Sequence, residues 1–208
     1  MMISLSLIFL YVPTEKEMGD IQRIFYWHVP LAWVAFLAFF VVFVTGIMYL
    51  WKRDSKWDHL AHASAEIGVL FTTLVLITGP IWAKPVWGSW WTWDARLTAS
   101  LILWMTYITY LLMRSYASEE ERGARFAAVI GIIGFINVPI VYLSVNLWRT
   151  QHPPELVSDL GGSMLLTLLV SIAAFTVLYV LLISHSYSIK NLASRVRRLG
   201  QQLEESER

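Results

Sequence analysis

Five of the chain's eleven tryptophans, Trp82, Trp87, Trp90, Trp91 and Trp93, fall within twelve positions. Aromatic belts at membrane surfaces scatter one or two such residues per helix end, whereas this is one dense slab. A slab of indoles suits a large, flat, apolar ligand with polar edges, and a porphyrin fits that description. If the segment is helical from Pro85, a residue suited to a first helical position, then Trp87, Trp90, Trp91 and Asp94 share one face and Trp93 points elsewhere. Porphyrin iron takes axial ligands, imidazole commonly among them. The five histidines are His28, His59, His62, His152 and His185. There is no cysteine. That excludes disulfides, thiolate metal sites and covalent haem attachment through Cys-x-x-Cys-His.

These residues need elements to position them. The 208 residues are 57% hydrophobic and only 15% charged, with a mean hydropathy of +0.56. Residues 126–148 and 160–184 contain no Asp, Glu, Lys or Arg. About 20 such residues in a helix cross a bilayer core of ~30 Å. A soluble enzyme is excluded, and no nucleic-acid partner is expected. The apolar runs predict helices at 26–50, 62–83, 96–114, 125–148 and 161–186. Residues 1–12 are apolar but rise only about 18 Å as a helix. They lack the basic region and small-residue cleavage site of a signal peptide. They read as the end of a span whose beginning lies upstream. The predicted fold is all-α, a polytopic integral membrane bundle of six transmembrane helices with the first truncated. Residues 1–188 form the transmembrane domain, with the tryptophan loop 82–98 on its outer face, and 189–208 form a cytoplasmic tail.

The Lys and Arg residues assign the sides. Lys52, Arg53, Lys56, Arg114, Arg122, Arg125, Lys190, Arg195, Arg197, Arg198 and Arg208 fall on one side, eleven in all, against five on the other: Lys16, Arg23, Lys84, Arg96 and Arg149. The richer side is predicted to be cytoplasmic. His28 and His152, each close before a proline, then share the outer face with the tryptophans, and His59, His62 and His185 lie a bilayer away.

The run Trp87-Gly88-Ser89-Trp90-Trp91-Thr92-Trp93-Asp94 resembles the tryptophan-rich WWD motif of haem-handling membrane proteins. Its continuation, Ala95-Arg96-Leu97-Thr98, is similar to the form found in the CcmC family of cytochrome c maturation. Arg23-Ile-Phe-Tyr-Trp-His-Val-Pro30, Asn137-Val-Pro-Ile140, Ser144-Val145 and His152 extend the resemblance over nearly the whole chain. It departs at the N-terminus, where the family's first helix is largely absent. The resemblance implies a single non-covalent haem b with His28 and His152 as axial ligands on the iron. Trp87, Trp90, Trp91, Trp93 and Asp94 would form its platform. It further implies a bacterial inner-membrane assembly factor, not an enzyme, that presents haem to a periplasmic chaperone of the CcmE type. The implied partners are a small single-span CcmD-type subunit and CcmA/CcmB-type ABC transporter subunits. There is no P-loop in this chain, so ATP hydrolysis by that route is not its own.

Other polar residues carry narrower expectations. Asp94 is placed to cap the following helix. Lys84 and Arg96 are candidates either for haem propionates or for headgroup anchoring. Pro139 predicts a kink in the fifth span, with Asn137 placed to satisfy the freed carbonyl. His62 and Glu66 read as a local pair at a helix start. Leu192, Val196, Leu199 and Leu203 form a short apolar stripe beside Arg195, Arg197 and Arg198, suited either to a partner or to solvent. Three rival functions fit less well. A permease for haem or another solute wants charged groups inside its spans, and mid-depth the spans offer little beyond Thr, Ser and Asn137. A b-type cytochrome wants histidines within helices, stacked across the bilayer. The cytochrome c synthases that share the motif are longer and follow it with Pro and an acid.

Overall fold

A computed structural model describes residues 1–116, 120–148, 150–152 and 160–206. Arg149 and Arg208, named above, lie outside these. Among the described residues there are seven longer helices, one 3-10 helical turn (Asp20–Ile24) leading into the second of them, and no strand. The seven are α1 (Met2–Tyr11), α2 (Phe25–Lys52), α3 (Ser55–Trp87), α4 (Ala95–Tyr116), α5 (Glu120–Phe135), α6 (Asn137–Leu147) and α7 (Gly162–Ser206). Five segments are long and apolar enough to cross a membrane: α2 with its leading turn, α3, α4, α5 with α6, and α7. The chain is a multi-pass membrane protein. The short α1 packs Ile8 and Val12 against Phe25, Tyr26 and Leu168, and Ser4 bonds Ser171 of α7 at 2.8 Å.

Local chemistry sets the boundaries. Asp54 caps α3 by accepting from the Lys56 amide at 3.0 Å. The fifth predicted span is two helices, broken at Ile136. Pro139 has no N–H to donate back along the chain. The expected repair by Asn137 is corrected: its Nδ2 donates to the Ala99 carbonyl of α4 at 2.9 Å, tying two helices instead of mending one. Nor does the helix end at the edge of the predicted tail. α7 runs unbroken through Gly200 to Ser206, and Leu192, Val196, Leu199 and Leu203 are exposed along it.

The core packs α2 against α3, α4 and α5 through Val34, Ala38, Phe39, Val42, Leu103 and Tyr107. Phe39 stacks on Tyr107 at 3.7 Å, and the Tyr107 hydroxyl donates to the Gly131 carbonyl. Small residues let backbones approach closely in membrane bundles. A Cβ built at Gly68 would sit 2.6 Å from the Phe39 ring, a ring already stacked on Tyr107. Gly68→Ala is therefore expected to destabilise the fold by about 1–3 kcal/mol. Gly200→Ala, facing open space, should cause no loss. The tryptophan-fluorescence melting midpoint in detergent distinguishes the two.

Candidate functional site

At one end of the bundle α2, α3 and α4 enclose a cavity of about 760 Å³, counting its open mouth. His28 and His152 both line it, with Trp82, Trp87, Trp91 and Arg96. Deeper, Ala35, Thr72 and Leu103 form apolar and hydroxyl walls. Thr72 and Trp82 belong to one helix, and ten helical residues rise about 15 Å. The space is thus a slot running into the bundle, with the tryptophans at its mouth, and not a surface platform alone.

His28 projects from the first turns of α2, its Nδ1 2.8 Å from Thr78 Oγ1 of α3. The Thr78 hydroxyl spends its one proton on the Leu74 carbonyl, also at 2.8 Å. It can then only accept from His28, which places the imidazole proton on Nδ1 and leaves the lone pair on Nε2. His152 lies between α6 and α7, outside the helices. Its backbone N–H donates to Thr150 Oγ1 at 3.1 Å, and its ring stands edge-on to Trp82 and Trp87, with centroids 6.5 and 6.3 Å apart.

The tryptophans do not share a helical face, which corrects the expectation from Pro85 onward. Pro85 lies inside the last turns of α3, and the helix stops at Trp87 because Gly88 turns left-handed at φ 76°. The Gly88 amide bonds the Lys84 carbonyl at 3.0 Å, and Lys84 Nζ bonds the Gly88 carbonyl at 2.9 Å. Lys84 therefore secures the helix end, while Arg96 is the cation on the cavity wall. Trp90 and Trp93 lie outside the cavity lining, 59% and 76% exposed. Trp91 lines it and leans on Trp93 at 5.8 Å. Trp82, counted in the slab but not in the expected platform, is buried on the wall.

Asp94 caps α4 as expected, accepting from the Leu97 amide at 3.0 Å. Its other oxygen accepts from Thr92 Oγ1 and from the Gln151 amide, both at 3.3 Å. One carboxylate thus joins the tryptophan segment to the loop that carries His152. At the far end of the bundle, His62 pairs with Glu66 at 3.3 Å as expected, and Glu66 also takes Lys190 at 2.8 Å. His59 is buried there and His185 is exposed; neither lines the cavity. Thr78 was not foreseen, because a lone threonine in an apolar span carries no signal of its own.

The Nε1 atoms of Trp82 and Trp91 are buried with no hydrogen-bond partner among the described residues. An unmet buried donor costs about 1–3 kcal/mol. Two such donors, two imidazoles and one guanidinium around an apolar slot suit a flat ligand with polar edges and a metal centre.

The fold and the cavity define a multi-pass helical membrane protein with a histidine- and tryptophan-lined binding slot at one end. The chain belongs to the CcmC, heme exporter protein C, family, whose model matches residues 1–202. It is 39% identical to the heme exporter protein C of Bradyrhizobium diazoefficiens, over 90% of this chain and 73% of that one. It is 36% identical to the Haemophilus influenzae protein of the same name, over 90% and 78%. A putative cytochrome c biosynthesis ccmC-like mitochondrial protein of Marchantia polymorpha is 36% identical, over 77% and 68%.

Replacing Asp94 with Ala should cost about 1 kcal/mol of capping and raise hydrogen exchange in both 88–94 and 150–152. Unchanged protection in 150–152 would show that the carboxylate does not hold the two loops together.

Proposed function

We propose that this chain handles haem in cytochrome c biogenesis, binding it as non-covalent haem b in the slot and passing it to an acceptor. The single observation that carries the reading is that His28 and His152 converge on one tryptophan-lined cavity. The His28 Nε2 lone pair is available to iron by the tautomer argument above. His152, against Trp82 and Trp87, would be the second residue to hold the iron. Trp87 and Trp91, with Trp90 and Trp93 outside the slot, would form the platform. Arg96 would pair with the propionates, and Asp94 holds the two loops in register. Lys84, engaged at the helix end, contributes charge at the mouth.

The remaining parts of the reading follow from the family and from charge placement. The slot opens on the periplasmic side of a bacterial inner membrane, opposite the Lys- and Arg-rich end, which with residues 189–208 is cytoplasmic. Residues 1–188 form the transmembrane haem-handling domain. The acceptor is a periplasmic haem chaperone of the CcmE type, and the partners are a CcmD-type subunit and CcmA/CcmB-type ABC subunits. The chain acts as an assembly factor: its residues bind, orient and shield haem and form no covalent bond to it.

Titrating hemin into the purified protein and following the Soret band tests this reading. His28→Ala and His152→Ala should each shift the band and weaken binding. Thr78→Val should weaken it by roughly 10–100-fold, as loss of an outer hydrogen bond to a ligating histidine does, and Thr78→Ser should restore it. A Soret band and affinity unchanged in both histidine variants would refute the assignment. A wild type that takes up no haem would favour the permease.

A further inference from the structure

At the end of the bundle opposite the slot, α2 passes into α3 through Arg53 and Asp54. Arg53 has φ 56° and ψ 22°, and its amide bonds the Tyr49 carbonyl at 2.9 Å. Helices that end in this left-handed way ordinarily place Gly or Asn there, because a Cβ is strained in that conformation. Among the described residues Arg53 is the one non-glycine with positive φ. A charged, branched-tip side chain is thus kept where backbone chemistry favours none.

Its neighbours suggest what the charge is for. The turn, the start of α5 and the extension of α7 surround a second cavity of about 780 Å³, counting its mouth. Arg53, Arg197, Arg198 and Ser55 line it, and so do two carboxylates, Asp58 and Glu121. Both carboxylates are engaged by other arginines. Asp58 accepts from Arg114 Nε and Nη2 at 3.3 and 2.7 Å, and Glu121 pairs with Arg125. Arg53 forms no ion pair among the described residues, and Arg198 donates to a neutral hydroxyl, Ser55 Oγ, at 3.3 Å. Arg53 and Arg198 therefore bring positive charge to the cavity beyond what its paired carboxylates absorb, with Arg197 on the same wall.

We propose that this cavity binds a phosphate-bearing anion. Guanidinium forks match phosphate geometry, and Ser55 adds a hydroxyl. The ligand is either the headgroup of an anionic phospholipid or a soluble phosphate compound. Residues suited to a membrane surface stand alongside. Trp51 is 76% exposed, and Lys52 and Lys56 lie over the Trp57 ring at 5.8 and 5.5 Å. Basic pockets between helix ends are where anionic headgroups bind.

The test has two arms on the full-length protein. Inorganic pyrophosphate is titrated calorimetrically into nanodiscs of neutral phosphatidylcholine. Separately, phosphatidylglycerol retained after purification is counted by native mass spectrometry. The variants are Arg53→Gly and Arg198→Gln, singly and together. Glycine suits the left-handed turn, so Arg53→Gly removes the charge without threatening the fold. Each substitution should weaken binding about tenfold, and the pair should abolish it. Arg195→Gln, an equal change of charge outside the cavity, should have no effect. Loss of bound phosphatidylglycerol alone identifies a lipid site, and loss of pyrophosphate binding identifies a soluble phosphate site. Wild type that binds neither probe, or a double variant that binds like wild type, overturns the proposal.

Discussion

Hydrocarbon offers no water to a polar group, so each one inside the bundle must find its partner in the protein. The helices satisfy the backbone, and most hydroxyls fold back onto it. Thr72, Thr73, Thr106, Thr109, Thr167 and Thr176 all donate to the carbonyl four residues earlier. What is left makes the cross-ties. Ser64 joins the Ala38 carbonyl and the Tyr179 hydroxyl at 2.8 Å each, Trp104 donates to Thr73, and Asn137 to Ala99. Against that economy three buried indole N–H groups, on Trp57, Trp82 and Trp91, have no partner among the described residues. Two of them, Trp82 and Trp91, lie on the cavity that His28 and His152 also line, where a ligand would be the partner.

The cavity itself is built from two materials. Its deep walls are helix surfaces fixed by packing, and its mouth is made of two segments far apart in the sequence. Those segments have little core of their own to hold them. Asp94 is the junction, since one carboxylate oxygen starts α4 and the other bonds the 150–152 loop. A capping residue would ordinarily be a local device. Here the same side chain sets where His152 stands relative to the tryptophans.

The helices were legible because a bilayer imposes one length and one polarity on every span, and the charge-free runs mark both. The shared face of His28 and His152 was legible in the Lys and Arg distribution, and both line one cavity with the tryptophans. The tryptophan geometry was not legible from periodicity. A helical wheel assumes that the helix continues, and Gly88 ends it, so Trp90 and Trp93 leave the face that Trp87 begins. Asn137 was misread for a related reason. Its nearest acceptor along the chain was considered, while its actual acceptor, the Ala99 carbonyl, belongs to a helix whose position depends on tertiary packing. Thr78 escaped because its role lies wholly in what its neighbours have already done with its proton.

The two histidines are held by different means. His28 stands on a helix, its ring fixed through Thr78 to the backbone of the next helix. Groups on helices hold their geometry more tightly than groups on loops. His152 stands outside the helices, its amide bonded to the Thr150 hydroxyl at 3.1 Å and the neighbouring Gln151 amide to the Asp94 carboxylate at 3.3 Å. Asp94 connects that segment to Thr92, the neighbour of the exposed Trp93, so one carboxylate ties the outer tryptophans to the residues that carry His152.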